Sequence, residues 1–267
     1  MPHVRLEGGS VDGLALHYVR EGRGPAIVLL HGLGGFGESW RKTIDVLAES
    51  ADVLAVDLPG YGLSAKPRAR YDLEFFTRVQ HGFLDATGVG HLSLVGHSLG
   101  GAVAVTYALT HPARVDRLAL VSAVVPGFDY RPSWLYRMAS VRGLAEAAAL
   151  CARRPMYRAA LARCFHVPMA REIDALVDWS YAARTCWDAK AAYLATLRDV
   201  RADLGAAPRR IAAWWARSGC PSCSCTAGRT RWWAPPIVRT WPRDFPAPPC
   251  AGWMPAGTSR RSSTPTP

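Results

Sequence analysis

The stretch His91-Leu-Ser-Leu-Val-Gly-His-Ser-Leu-Gly-Gly101 constrains this chain more than any other. A short apolar run, Leu92 to Val95, ends in Gly96-His97-Ser98-Leu99-Gly100, and a helix-like run from Ala102 to Thr110 follows. G-x-S-x-G between a strand and a helix predicts a tight turn. Small flanking residues let strand and helix approach closely there, and the serine is held in a strained backbone geometry. Ser98 Oγ then stands at the tip of the turn. The N–H groups of the first helical turn point at the same spot, where negative charge can be stabilised.

The residues before this turn alternate between strand and helix patterns. Residues 3–7 and 14–19 alternate as strands, separated by Gly8-Gly9 and Asp12-Gly13. Ala26-Ile-Val-Leu-Leu30 is a continuous apolar run, as expected for a strand covered on both faces. It leads into His31-Gly-Leu-Gly-Gly35, too glycine-rich for helix or strand, and then into a predicted helix over 38–50. Asp52 to Val56 reads as the next strand, Asp72 to Thr87 as a helix, and Val115 to Val121 as a strand after the Ser98 unit. Such alternation predicts an α/β fold with a mostly parallel sheet and right-handed crossovers. Residues 126–204 break the rhythm. They are rich in Ala, Arg, Leu and aromatics at helical spacing, and read as a helical insertion. Its aromatics (Trp134, Tyr136, Tyr157, Phe165, Trp179, Tyr181, Trp187) are expected to pack against the sheet or to wall an apolar pocket.

Three segments, His31-Gly-Leu-Gly-Gly35, Asp57-Leu-Pro-Gly-Tyr-Gly-Leu-Ser64 and Gly96-His-Ser-Leu-Gly-Gly101, in this order and spacing, resemble the α/β-hydrolase fold family. The resemblance covers residues 1–125 well and 126–204 loosely. It implies an eight-stranded, mostly parallel sheet, a helical cap after the sixth strand, and a Ser–acid–His triad in that chain order. It further implies Ser98 as nucleophile, with an oxyanion hole made by the backbone N–H groups of Leu33 and Leu99. Ser rather than Asp at the turn separates the chain from branches that attack with a carboxylate. Hydrolysis of an ester-like bond (ester, thioester or activated carbon–carbon bond) in a small, largely apolar substrate is the expected activity, without cofactor or metal. His31 and His97 read as hydrogen-bonding structural residues, with the His97 side chain directed away from Ser98. Asp57 is not expected to act in catalysis. Cys151, Cys164 and Cys186 read as ordinary buried thiols in a reducing compartment.

The base and the acid are missing from this picture. The last histidine is His166, within the insertion, and nothing in 205–267 reads as strand–Gly-x-Asp or Gly-His, so triad acid and base are both unknown. A serine hydroxyl without them is a weak nucleophile. A catalytically defective hydrolase-fold protein is therefore the alternative reading.

Charge marks where the pattern fails. The net charge is +11, from 32 Lys/Arg against 21 Asp/Glu. Residues 205–267 hold nine Arg and one acid, a net +8, which leaves only +3 for residues 1–204. The same tail holds six of ten Trp, four of seven Cys and eleven of twenty Pro. Three units follow: a core over 1–125, a cap over 126–204 and an aberrant tail over 205–267, expected to be disordered and to leave the last strands absent. Cys220-x2-Cys223-x-Cys225 with Cys250 could bind zinc, but the spacing is tight and no histidine assists. An Arg/Trp-rich arm could grip single-stranded nucleic acid.

A frame slip explains more. When each third base is read into the next codon, Trp232-Trp233 is forced to Val, because TGG-TGG contains GTG. The codons of 220–234 can then spell Pro-Val-Leu-Leu-Val-His-Gly-Gly-Pro-Asp-Ala-Val-Val-Gly, a buried strand and a Gly-x-Asp turn. The same offset lets 255–266 spell Gly-Gly-His-Leu-Pro-Gln-Val-Glu-His-Pro-Asp. The recovered Asp and His fall 28 positions apart, at codons 229 and 257, and the slip lies between Gly205 and Cys220. The remaining expectations are a small-molecule partner, no nucleic acid, no membrane span (no run of about 18 apolar residues exists) and a cytoplasmic location. Oligomeric state is left open.

Overall fold

The apolar run Ala26–Leu30 forms strand β3, and Val28, Leu29 and Leu30 are wholly buried because both sheet faces are covered. The computed structural model describes residues 2–125, 141, 143, 145–147, 153–163 and 169–206. Around β3 stand β1 (His3–Arg5), β2 (Ala15–Glu21), β4 (Asp52–Val56), β5 (Leu92–His97) and β6 (Val115–Val121), in the order β1-β2-β4-β3-β5-β6. β1 pairs with β2, and β2 with β4, antiparallel. β4, β3, β5 and β6 run parallel. The expected mostly parallel sheet is therefore present.

Strand periodicity sorts the core into two layers. Val28 and Leu30 of β3, Leu54 and Val56 of β4, and Leu92 and Leu94 of β5 face one layer, which α2 (Leu73–Ala86) and α3 (Leu99–Thr110) cover with Phe76, Phe83, Val103 and Tyr107. Leu29, Val53 and Ala55 face the other, against Ile44 of α1 (Arg41–Leu47). Each large apolar side chain buried this way contributes about 1.5–3 kcal/mol. Helix α2 starts at Leu73 because Asp72, its N-cap, accepts the Phe75 N–H at 2.8 Å.

The helix expected over 38–50 divides into a tight 3₁₀ turn at Gly37–Trp40 and the shorter α1. The Gly37 N–H is drawn to the Asp57 carboxylate at 2.5 Å, which fixes the chain where the helix would have begun. Helix α3 starts earlier than its apolar pattern suggests, at Leu99, because Ser98 itself is its N-cap residue.

Beyond residue 125 the described residues contain α4 (Arg154–Ala162), α5 (Ala170–Thr185) and α6 (Trp187–Ala206), which runs two residues past the expected end of the insertion at 204. Two carboxylates join α6 to the start of α2: Asp199 accepts the Tyr71 N–H at 2.9 Å, and Asp203 the Leu73 N–H at 2.8 Å. Tyr157 and Tyr181 stack edge-on against each other between α4 and α5, and Trp187 is half exposed. Cys186 is exposed rather than buried, because it ends α5 at the junction with α6. Trp134, Tyr136, Phe165, Cys151 and Cys164 lie outside the described residues, as do the cysteine cluster, the two expected last strands and all of 207–267. No helix among the described residues is long and apolar enough to cross a membrane.

Candidate active site

Ser98 occupies φ +50° and ψ −113°, one of two non-glycine residues with positive φ among those described. Such a conformation costs about 1–3 kcal/mol and persists only where surrounding structure imposes it. Here the constraints are visible. The Ser98 N–H donates to the Val121 carbonyl at 3.1 Å, and the Ser98 carbonyl accepts from Gly101 at 3.0 Å and Val124 at 3.0 Å. The glycines are steric requirements. A Cβ at Gly96 would stand 2.4 Å from the Gly100 carbonyl oxygen, and one at Gly100 2.3 Å from that of Leu30. Strand β3 and helix α3 thus touch through backbone at the base of the turn. Leu99 is the first residue of α3, so its N–H has no acceptor within the helix.

The loop after β3 runs along this turn. A Cβ at Gly32 would meet Ser98 Cβ at 3.1 Å and His97 Nδ1 at 2.8 Å, so only glycine lets the loop pass so close. Leu33 follows directly, and among the described residues no group accepts its N–H. The sequence-derived residues Leu33, Ser98 and Leu99 are therefore brought to one place, with two amides whose donors are not spent on secondary structure.

The loop is anchored by groups from the 57–63 segment. His31 is buried; its Nδ1 bonds the Gly32 carbonyl at 2.8 Å, and its Nε2 accepts the Leu58 N–H at 3.0 Å. That occupies both ring nitrogens with backbone partners, which gives His31 a structural task. Asp57, also buried, accepts from Gly37, from Leu63 at 2.8 Å and from His17 Nδ1 at 2.9 Å. Burial pushes its carboxyl up, but His17, the nearby His31 and the Gly37 and Leu63 amides together hold it below the usual carboxylate value. The His97 ring stands edge-on to Trp40, 6.4 Å between centroids, and beside Gly32. It keeps an exposed edge, yet crowding on its inner face lowers its pKa.

Among the described residues no side chain hydrogen-bonds the Ser98 hydroxyl, and none of the described His, Cys, Asp and Glu form a group of three or more that could hold a metal ion. Two contacts were not foreseeable from local pattern. Asp57 ties both ends of its own loop to the 31–37 loop, and Leu194 and Leu197 of α6 pack on Leu33. The spacing of apolar residues in α6 marks a buried stripe but not its partner.

Comparison with known proteins gives a consistent setting. The alpha/beta hydrolase fold family matches residues 25–155. An uncharacterized protein of Mycobacterium tuberculosis is 38% identical over 145 residues, 54% of this chain and 42% of the relative, so the match spans less than half of that relative's length. A 2-hydroxy-6-oxo-2,4-heptadienoate hydrolase of Pseudomonas putida is 32% identical over 206 residues, covering 67% of this chain and 75% of that enzyme. Among solved structures, Cfl2 of Burkholderia cenocepacia aligns with a TM-score of 0.68 at 27% identity, over 80% of each chain.

Proposed function

We propose, from the premise that this chain belongs to the α/β-hydrolase fold family, that Ser98 is the nucleophile of a hydrolase acting on an ester-like bond. The bond is a carboxylic ester, a thioester or an activated carbon–carbon bond in a small, largely apolar substrate. Ser98 Oγ attacks the carbonyl carbon, its proton passes by way of a base to the leaving group, and water releases the acyl group from the serine. The N–H groups of Leu33 and Leu99 bind the oxyanion, and losing one such donor costs about 100- to 1,000-fold in rate. The observation that carries this reading is the strained backbone of Ser98 with the glycine-rich loop pressed against it. The small dienoate in the name of the Pseudomonas putida relative favours a substrate of that size. In this reading residues 1–125 are the core, 126–204 a helical cap, and 205–267 a tail translated out of frame.

A second reading, a hydrolase fold without turnover, draws on one specific observation: the last histidine of the chain is His166, so no Gly-His follows the cap. One experiment separates the two. A fluorophosphonate probe is applied to the full chain and to Ser98→Ala, and turnover of a nitrophenyl ester is followed in parallel. Labelling and turnover that both vanish in Ser98→Ala support the hydrolase. A chain that folds but neither labels nor turns over the ester is the defective form.

A further inference from the structure

Between His31 and Phe36 the chain reads Gly-Leu-Gly-Gly, so Leu33 is the single residue there with a side chain. Glycines impose little on the backbone, and Gly34 sits at φ +70°. The Gly32 carbonyl, in the same planar peptide as the Leu33 N–H, accepts from His31 Nδ1 and from the Gly35 N–H, both at 2.8 Å, so the Leu33 side chain is the further handle on that peptide. That side chain packs on one side against the cluster of Leu194, Leu197 and Ala145, which are 5%, 8% and 5% exposed, and on the other against the main core layer.

Helix α6 is itself fixed from elsewhere. Asp199 and Asp203 bond the Tyr71 and Leu73 amides, and Ala192 and Val200 join the core layer under α2. At about 100° per residue, the Leu194/Leu197 pair and the Asp199/Asp203 pair lie about 170° apart around the helix. One face is thus held at the start of α2 while the opposite face bears on Leu33. Arg198 adds an ion pair to Glu146 at 2.7 Å, which brings Ala145 to the same contact.

From this juxtaposition we infer that Leu194 and Leu197 are positioning residues: together with the bonds to the Gly32 carbonyl they hold the Leu33 peptide, and with it the alignment of its N–H toward Ser98. The inference rests on the proposed role of Leu33 as an oxyanion donor, and it makes α6 part of the site rather than a cover over it. A bulky or disordering change in α6 then alters reactivity at Ser98 without touching the Ser98 turn.

The test uses the full chain and the variants Leu194→Ala, Leu197→Ala and Leu197→Met. Two quantities are measured: the rate of fluorophosphonate labelling at Ser98, and the ¹⁵N order parameters of the Leu33 and Leu99 amides. The alanine variants are expected to label at least about tenfold more slowly, a part of the loss that removing a donor causes. Their Leu33 order parameter falls from about 0.85 toward 0.6, while that of Leu99 stays unchanged. Leu197→Met restores both readouts. Leu194→Val and Leu197→Val give the same trend at smaller amplitude if an alanine variant fails to fold. An unchanged Leu33 order parameter in folded alanine or valine variants overturns the inference. Failure of the parent chain to label at Ser98 would instead refute the hydrolase reading, with the order parameters still deciding whether α6 holds the loop.

Discussion

Asp57 Oδ2 accepts the His17 Nδ1–H at 2.9 Å, with both side chains wholly shielded from solvent. The pair links the antiparallel strand β2 to the loop after β4, and the same carboxylate holds Gly37 and Leu63. Removing it strands three donors at once. Asp57→Ala is expected to cost about 3–5 kcal/mol, the range for breaking a buried pair, measured as a drop in urea midpoint. Because the carboxyl is held below its ordinary value of 3.8, its contribution is fully present above that value and is lost as pH falls through the lower folded value. Acid unfolding followed by tryptophan fluorescence should flatten in Asp57→Asn, and an unaltered acid limb would refute the assignment.

Asp203 carries the opposite sign. Burial, with Asp72 and Asp199 close by, raises its carboxyl above 3.8 despite the Leu73 N–H. The folded state binds that proton more tightly than the unfolded chain, so this stabilising contribution exists at low pH and disappears as pH rises through the folded value. Asp203→Asn keeps an acceptor for Leu73 and discards the charge. Its thermal midpoint at neutral pH should match or exceed that of the parent. Asp203→Ala loses the acceptor and should cost about 1 kcal/mol, as for a helix cap. Equal midpoints for the two variants would contradict this account.

The approach of β3 to α3 makes Gly100 one of the least replaceable residues in the fold. A methyl there would sit 2.3 Å from the Leu30 carbonyl oxygen, and backbone cannot rotate aside. Gly100→Ala is expected to destabilise by about 3 kcal/mol, the upper end for overpacking. Gly90→Ala serves as control, because nothing lies within 4 Å of its would-be methyl. Chemical denaturation of both proteins decides the matter, and a Gly100→Ala midpoint as high as that of Gly90→Ala would contradict the close approach.

The frame slip is checked in nucleic acid before protein. The coding DNA, read at the shifted offset after the slip between codons 205 and 220, should run without stop codons and encode Asp at codon 229 and His at codon 257. A chain expressed with the frame restored should hydrolyse a nitrophenyl ester faster than the present chain by at least about 1,000-fold, the cost of removing a triad member being larger still. A stop codon in that stretch, or no gain in rate, rules the slip out.

Much of this fold was legible because its signals are local. Asp52–Val56 and Val115–Val121 appear as strands where apolar runs between turn residues place them, and Asp72 marks the start of α2 by capping it. The Ser98 turn was equally legible, since the need for Gly96 arises against Gly100 within the same turn, while Gly100 is required by the distant Leu30 carbonyl and was legible only through the motif. The contacts that shape the candidate site are of another kind. Tyr71 and Leu73 meet Asp199 and Asp203 across 128 and 130 residues, and Leu33 meets Leu194 and Leu197 over a longer span. A residue pattern records which face of a helix is apolar, but not what lies opposite, because that depends on where parallel strands end and how their loops converge. So the sequence by itself determined the sheet, the turn and the glycines that permit them. Only the tertiary structure decided that Asp57 anchors the 31–37 loop, that Cys186 is exposed and that α6 bears on Leu33, since each needs surfaces joined only when the chain closes on itself.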